Sequence, residues 1–326
     1  LRYELTRLYT DRGYINSGVI LPDQEVRDGL VVYQAVEGTL SDLSIDVQGR
    51  LKERYVRNRI DVDESQPLNV NELRQSLQLL QQDPLIEQIS SSLVPGDRPG
   101  RAALAMQVVE SRPWSAGVQV DNARSPSIGA TSVEVFAAHH NLTGSGDAVS
   151  AQVGVTEGLD DFALSYSLPV TSRGATLTFS YRLSESDVVE EPFDEIDISS
   201  QTEEFGVSLD YPLVLSLSRS VSAGVALSNA RSETFLLGRP FSFSPGVVDG
   251  VSEVAVLRFS ADWLERRSNH VFAARSTFNI GIDAFDATIS DAGAADSKFV
   301  SWLGQFQWAT RLSDLGDQLL VRADVQ

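Results

Sequence analysis

The first 38 residues carry hydrophobic positions at helical spacing and then at strand spacing. Apolar side chains recur at helical intervals from Leu1 to Tyr9, and Gly13 follows them as a residue typical of a helix C-terminus. Two apolar stretches rich in β-branched residues come next, at 15–21 and 30–36, and this pattern predicts a pair of strands. The segment is therefore predicted to fold as helix, strand, strand.

The same order of elements returns between residues 40 and 109. The predicted elements are a strand through Leu43, Ile45 and Val47, a short helical stretch from Leu51 to Ile60, a helix from Asn69 to Asp83, and strands from Ile86 to Leu93 and from Ala102 to Val109. This second copy has its own strand and short helix in front. We therefore expect the first copy to be the final part of a similar module, so that the chain begins inside a domain.

After Trp114 the helical patterns end and long alternating segments begin. From Ala175 to Leu183 the odd positions are apolar, whereas the even positions between Thr176 and Arg182 are polar, which is the period of a strand with two different faces. The rest of the chain contains about eleven such segments, most of them near the roughly 9–11 residues that a tilted strand needs to cross a bilayer. Strands of soluble sandwiches are usually shorter. The pattern predicts an antiparallel sheet that spans a membrane.

The connections between these segments alternate in length. The tight connections are 141–147, 171–174, 266–269 and 313–317, and the long ones are 187–200, 238–250 and 283–297. Short turns on one side and long loops on the other are typical of bacterial outer-membrane barrels. Four tryptophans lie near predicted strand ends, where interface girdles are expected, namely Trp114, Trp263, Trp302 and Trp308.

A single-chain bacterial barrel normally has an even number of strands, because an open edge in lipid leaves backbone groups without hydrogen bonds. About eleven strands are therefore expected to form only part of a barrel. The expected fold class is an α+β module followed by an incomplete antiparallel transmembrane β-barrel.

Composition removes several classes of protein. No run of about 18 apolar residues occurs, which excludes a helical membrane protein, whereas a barrel leaves no such run because its strands alternate. The formal charge of −19 argues against a nucleic acid as the main partner. The absence of cysteine fits an envelope protein that avoids thiol chemistry.

Motifs of catalysis and of metal binding are absent from the sequence. It has no G-x-S-x-G, H-E-x-x-H or P-loop pattern, and Gly144 and Gly146 belong to a predicted hairpin turn. Asp61 and Asp63 lack the glycine and the closing glutamate of a calcium loop, and the three histidines have no further metal-ligating residues beside them. We therefore expect no enzymatic activity, no cofactor and no metal site.

Several motifs resemble those of one known family. In the first 112 residues they are 9–14 (YTDRGY), 21–24 (LPDQ), 36–38 (VEG), 68–71 (LNVN) and 79–84 (LLQQDP). In the predicted barrel they are 121–122 (DN), 125–129 (SPSIG), 140–142 (HNL) and 144–147 (GSGD). The chain resembles the outer-membrane exporters of two-partner secretion, which transport haemolysins and filamentous adhesins. The segments 233–236 (ETFL) and 240–244 (PFSFS) are similar to cyanobacterial members.

The resemblance implies a location in the bacterial outer membrane, with POTRA domains in the periplasm and a barrel of an expected sixteen strands in contact with lipid. The expected domains are the C-terminal part of a first POTRA domain at 1–38, a second POTRA domain at 39–112 and the N-terminal portion of the barrel at 113–326. The family's long sixth loop would begin where the chain ends, so the chain is expected to be truncated at both ends. The implied partner is one large secreted β-helical exoprotein, exported as an unfolded chain by a monomeric pore.

Two sets of residues are candidates for contact with that partner. An exposed POTRA edge strand can capture an extended chain by strand addition, and the candidate residues are Ile86, Gln88, Ser90 and Ser92. Charged side chains are costly on a lipid face and tolerable in a wet pore, which makes Arg182, Arg258, Asp262, Arg322 and Asp324 candidates for the lumen. An ordinary edge strand and structural ion pairing are the simpler alternatives.

Two other functions fit the same pattern. A barrel-assembly insertase of the same superfamily would share the module and the barrel, and a passive porin would share the strands alone. The order of module and barrel together with the motifs favours export.

Overall fold

The structure is a computed structural model that describes residues 1–26, 28–60, 65–98, 100–289, 297–313 and 316–326. Asp61 and Asp63 lie outside the described residues, as do parts of the connections predicted at 283–297 and 313–317. The chain divides into two compact units, Leu1–Arg112 and Pro113–Gln326. Within the described residues, none of the helices has the length and apolarity that a membrane-crossing helix needs.

The first unit begins with the predicted helix and strand pair, although the strands are shorter than predicted. Helix α1 (Arg2–Asp11) is followed by β1 (Gly18–Ile20) and β2 (Gln34–Val36), which pair antiparallel. The second strand starts later than predicted because the Gln24 side chain binds both backbone polar groups of Val32, which are then not available to a neighbouring strand. Gln24 Nε2 donates to Val32 O at 2.8 Å, and Val32 N donates to Gln24 Oε1 at 2.7 Å.

The rest of the first unit is a three-stranded sheet with helices α2 and α3. Its elements are β3 (Thr39–Gln48), α2 (Glu53–Arg57), α3 (Val70–Leu80), β4 (Ile86–Pro95) and β5 (Arg101–Glu110). Strand β5 is central, parallel to β3 on one side and antiparallel to β4 on the other. All five predicted elements are present, in the predicted order.

The core of this part consists of apolar residues from both helices and all three strands. Leu73 and Leu80 of α3 are buried together with Val56 of α2, and Leu104 and Val108 of β5 lie in the same cluster. Full burial of one such side chain contributes roughly 1.5–3 kcal/mol to stability. The apolar stripe that predicts α3 is therefore the surface by which this helix packs.

Residues 1–38 are joined to α3 by a close backbone contact. Gly13 has φ +95°, and its carbonyl accepts a hydrogen bond from Val70 N at 3.0 Å. The side chain of Asn69 serves both parts, because Oδ1 accepts from Asn71 N at 2.9 Å and caps α3, while Nδ2 donates to Arg12 O at 3.2 Å. A Cβ on Gly13 would lie 2.5 Å from Asn69 Oδ1, so only glycine fits here.

The second unit is one antiparallel sheet in which each long strand pairs with the one before it. In chain order the long strands are β6 (Trp114–Asp121), β7 (Ser132–His140), β8 (Ala148–Val155), β9 (Leu159–Pro169), β10 (Thr176–Asp187), β11 (Ile198–Leu215), β12 (Arg219–Leu236), β14 (Val251–Arg266), β15 (His270–Ile282), β16 (Val300–Arg311) and β17 (Gln318–Val325). A two-residue strand, β13 (Arg239–Pro240), pairs with β12. The described residues thus form eleven long strands, the predicted number, with β6 and β17 at the two edges.

The connections differ between the two ends of this sheet, as predicted. One end carries 141–147, 170–175, 216–218, 267–269 and 312–317, and the other carries 122–131, 156–158, 188–197, 237–250 and 283–299. The turn 156–158 is the exception to the alternation, because it is tight yet lies at the end with the long connections. We call these the short-turn end and the long-loop end.

The turn between β7 and β8 is closed by two fully buried polar residues, Asn141 and Asp147. Gly146 N donates to Asn141 Oδ1 at 2.9 Å, and Thr143 N donates to Asp147 Oδ1 at 2.8 Å. The Tyr166 hydroxyl donates to Asp147 Oδ2 at 2.9 Å. Burial raises the pKa of the Asp147 carboxyl, but these hydrogen bonds outweigh burial and hold the pKa below its ordinary value.

Gly13→Ala is expected to destabilise the contact with α3, because the new Cβ meets Asn69 and the residue must keep a left-handed conformation. The two effects together should cost about 1–3 kcal/mol. Hydrogen exchange of the Val70 amide in the full chain measures the loss. Gly29→Ala is the matched control, because Gly29 has φ +73° but open space around its Cβ position. Equal acceleration of exchange in both variants would contradict the packing argument.

The lowered pKa of Asp147 predicts that the free energy of unfolding decreases at acidic pH. The stabilisation is present above the ordinary pKa of 3.8 and is lost as the pH falls through the lower folded-state value. Asp147→Asn should therefore lower the free energy of unfolding by about 1–2 kcal/mol at pH 7 and by progressively less below pH ~4. Urea unfolding in lipid vesicles, followed by tryptophan fluorescence, measures both curves. A constant difference across this range would refute the assignment.

Candidate functional site

The register of the second unit separates a polar face from an apolar face. Directly paired residues lie on the same side of a sheet, so the register relates the faces of one strand to those of the next. Followed in this way, all five residues predicted for the lumen lie on the same face, which we call the polar face. They are Arg182, Arg258, Asp262, Arg322 and Asp324.

Two of these residues belong to one row of paired polar side chains. The row runs through Ser222, Asp262, Arg275, Gln305 and Asp324 on five successive long strands. Asp262 forms an ion pair with Arg275, and Gln305 Nε2 donates to Asp324 Oδ1 at 3.1 Å. The row lines a groove of about 790 Å³, together with Arg322.

A second row lies four residues nearer the long-loop end along β14. Arg258 Nε donates to Asn279 Oδ1 at 2.8 Å, and Asn279 Nδ2 donates to Ser301 Oγ at 3.2 Å. Arg182 lies apart from both rows and pairs across the strands with Glu204. The structure therefore brings four of the five predicted residues together on β14 to β17 and places the fifth on β10.

The opposite, apolar face carries most of the large hydrophobic side chains. On β14 it presents Leu257, Phe259 and Trp263, and from Ala255 to Trp263 it extends about 26 Å along the strand at about 3.3 Å per residue. This is comparable with the apolar band of about 25 Å on outer-membrane barrels. All four tryptophans are on this face, with Trp302 near the long-loop end of β16.

Towards the long-loop end the apolar face becomes charged. Tyr181 contacts Phe205 in a tilted arrangement with ring centroids 4.8 Å apart, and the next pair on this face is Leu183 with the charged Glu203. Arg231 forms ion pairs with Glu233 at 2.7 Å and with Glu253 at 3.2 Å. Aromatic side chains followed by charged ones are expected at the interface between a membrane and water.

The predicted edge strand is present in the first unit, but one of its four candidate binding residues is buried. Strand β4 is an edge strand that pairs with β5. Gln88, Ser90 and Ser92 are exposed, whereas Ile86 is buried in the core. The register shifts between Ile86 and Gln88. Strict alternation would put Ile86 on the same face as Gln88, Ser90 and Ser92, but this bulge turns its side chain into the core.

The other edge of the same sheet is partly covered. Arg57 Nη2 donates to Leu43 O of β3 at 2.7 Å, and Thr39 at the start of β3 forms a bridge with Pro67. For β4, no comparable contact to its outer edge is present among the described residues. Of the two edges, β4 is the one that leaves its backbone available for a further strand.

Sequence reasoning missed four polar-face residues, which are Glu204, Arg275, Asn279 and Gln305. Arg275 and Asn279 alternate with apolar positions on β15, so the period-two pattern contains the signal. Their partners depend on the register between strands, which the pattern of one strand does not contain. Among the described residues, no group of three or more potential metal ligands is present.

These features define the class of the protein. An antiparallel sheet with one apolar and one polar face, following an α+β unit with an open edge strand, is the arrangement of an outer-membrane transporter with POTRA domains.

The chain belongs to the family described as haemolysin secretion/activation protein ShlB/FhaC/HecB, whose profile matches residues 100–325. The profile of the POTRA domain, ShlB-type, matches residues 1–38. This family consists of transporters and not of enzymes, in agreement with the absence of catalytic motifs.

The relatives in sequence are transporters. The outer membrane transporter CdiB of Dickeya dadantii is 25% identical over 181 residues, which are 56% of this chain and 31% of the relative. The heme/hemopexin transporter protein HuxB of Haemophilus influenzae is 24% identical over 149 residues, which are 45% of this chain and 26% of the relative. The chain thus spans about a third or less of the length of these relatives.

Solved structures share the fold. CdiB from Escherichia coli matches with a TM-score of 0.72 at 18% identity, over 96% of this chain and 58% of that chain. BamA from Haemophilus ducreyi matches with a TM-score of 0.59 at 14% identity, over 97% of this chain and 61% of that chain. Both likenesses concern the fold alone.

Single cysteines test the assignment of the two faces, and the chain has no cysteine of its own to interfere. Arg258→Cys should react with a charged, membrane-impermeant maleimide in the folded protein in lipid vesicles, because its face is in water. Phe259→Cys, the adjacent residue on the apolar face, is the matched control and should react only with a lipid-soluble reagent. The reverse pattern would invert the two faces.

Proposed function

We propose that this chain is part of an outer-membrane translocation pore that binds an unfolded secreted protein in the periplasm and exports it, as in two-partner (type Vb) secretion. The observation that carries the proposal is the combination of the open edge strand β4 with a sheet whose polar face is continuous across the strands. We assign 1–38 to the end of a first POTRA domain, 39–112 to a second POTRA domain and 113–326 to the barrel.

Capture of the partner takes place by strand addition at β4. The outer edge of β4 offers backbone N–H and C=O groups, and an extended polypeptide satisfies them irrespective of its side chains. Gln88, Ser90 and Ser92 project from the exposed face of this strand, while Ile86 anchors the strand in the core. Small hydroxyl side chains leave the edge accessible, because they do not shield the backbone.

Transport takes place along the polar face, which lines the lumen. Arg258, Asp262 and Arg322 are held there by neighbouring strands, together with Arg182 and Asp324. Fixed charges of both signs keep the wall hydrated, and their mutual pairing limits tight binding of a passing chain. The transport partner is a large secreted exoprotein of β-helical type, and the pore acts as a monomer embedded in outer-membrane lipid. The cyanobacterial origin stays a prediction.

A barrel-assembly insertase has less support. BamA from Haemophilus ducreyi shares the fold at a TM-score of 0.59, but the family profile that matches two thirds of the chain is that of haemolysin secretion. A passive porin would leave the POTRA-type residues 1–38 without a role.

Proline substitutions at Ser90 and Ser91 test capture at β4. In an edge strand successive N–H groups point alternately towards the neighbouring strand and away from it, and proline removes one N–H. One variant should therefore loosen the pairing of β4 with β5, while the other should keep the sheet intact and stop secretion of the partner. Hydrogen exchange of β5 measures the first effect, and the amount of partner in the medium and in the periplasm measures the second.

Ser90→Ala and Ser91→Ala are the controls, because alanine keeps the N–H, and both should secrete normally. Where a large exoprotein is encoded next to the transporter gene, that exoprotein is the partner to follow. Normal secretion by the proline variant whose sheet remains intact would remove β4 as the capture strand. Normal secretion of that exoprotein after deletion of the transporter gene, or a general loss of barrel proteins, would remove the export function itself.

A further inference from the structure

Two phenylalanines at the long-loop end are exposed and packed against each other. Phe241 and Phe243 follow β13, their ring centroids lie 4.8 Å apart, and their exposed fractions are 43% and 51%. The rings meet edge to face, with an interplanar angle of 67°, and about half of each ring remains exposed apolar surface that another molecule could cover.

The register places Phe241 on the polar face. Strand β13 pairs with β12 through Leu236 with Arg239 and Phe235 with Pro240, so the next pair is Thr234 with Phe241. Phe241 N donates to Thr234 O at 2.9 Å, as this register requires. Thr234 pairs in turn with Ser200 and belongs to the polar face that carries the lumen candidates.

The backbone of the pair is held rigidly. Thr234 Oγ1 donates to Phe241 O at 2.6 Å, Thr234 N donates to Gly250 O at 2.9 Å, and Gly250 N donates to Ser242 Oγ at 3.0 Å. Gly250 has φ +73°, and a Cβ there would lie 2.4 Å from Thr234 O. The rings are therefore presented from an ordered loop, which reduces the entropy that a binding partner must overcome.

The polar face next to the pair carries small hydroxyl side chains. Ser186 and Ser200 are bonded through their Oγ atoms at 2.8 Å, and Thr202 Oγ1 donates to Ser232 Oγ at 3.1 Å. These hydroxyls already bond to one another across the strands, so they offer little to a passing chain. The chemistry thus changes from self-paired hydroxyls to exposed aromatic rings at the end of the same face.

We propose that Phe241 and Phe243 are the exit contact for the polypeptide in transit, an extended chain that leaves the pore at the long-loop end. This inference rests on the proposed export function. An unfolded chain exposes apolar side chains at many positions, and two rings bind them with little dependence on sequence. Each contact at the exit disfavours backward sliding, because the hydroxyl-lined part of the face next to the pair, on β10 to β12, provides no comparable contact. Membrane lipid is a poorer occupant, because the lipid-facing surface is the opposite face.

Photo-crosslinking in the full-length transporter tests the contact. A photoreactive phenylalanine is placed at Phe241, Phe243 and Ser232, and the exoprotein is stalled in transit by a tightly folded domain fused to its C-terminus. Crosslinks to the exoprotein are expected at all three positions. Phe285 is the matched control, because it is 57% exposed in the connection after β15 but lies with Phe179 on the apolar face, and it should give none.

A double variant, Phe241→Ala with Phe243→Ala, gives a second measurement. Secretion should slow about two- to tenfold, the effect of losing one to two aromatic contacts. The double tyrosine variant should keep the normal rate, and resistance of both variants to unfolding by detergent should be unchanged.

Crosslinks at Ser232 without crosslinks at Phe241 and Phe243 would overturn the exit contact and leave export intact. A normal rate in the double alanine variant, or crosslinks of the pair to lipid alone, would overturn it as well. Absence of crosslinks at Ser232 too would overturn export and the exit contact together.

Discussion

Hydrogen bonding between neighbouring backbones is the constraint on which the second unit depends. Inside a membrane no water is present to satisfy an N–H or C=O group, so each strand needs a partner along its length. Strict antiparallel pairing of consecutive strands meets this requirement with short connections at one end. It also aligns the period-two pattern of each strand with that of the next, so that separate sequences produce two continuous faces. The one shift in register between β11 and β12 lies at Pro212, which has no N–H for the ladder.

Backbone hydrogen-bonding groups have different roles in the two units. In the barrel strands the backbone is paired and the side chains determine what each face contacts. At β4 the backbone itself is the exposed surface, and the side chains beside it are small. In the proposed function, the edge strand would bind an extended chain through its backbone and the polar face would bind it only weakly, which suits capture followed by release.

Much of this organisation could be predicted from the sequence, because it depends on local periodicity. The helix α3, the number of long strands and the difference between the two ends all follow from patterns within one segment. Side-chain partners across strands could not be predicted in this way. The pairing of Asp262 with Arg275, for example, depends on the register of β14 with β15, which the turn between these strands sets. The bulge after Ile86 was missed for a related reason, because a strand pattern read at strict period two assumes that no residue is inserted.

The side chain of Asn69 has a mechanical consequence. One oxygen caps α3 and one nitrogen holds Arg12 O, so the start of the helix and the end of the preceding segment share a single amide group. A pulling force on residues 1–38 therefore passes into α3 without an intervening hinge, and through Leu73 and Leu80 into the core behind β4. Under load the two parts of the first unit would yield together, so tension applied at β4 would be distributed over the whole unit.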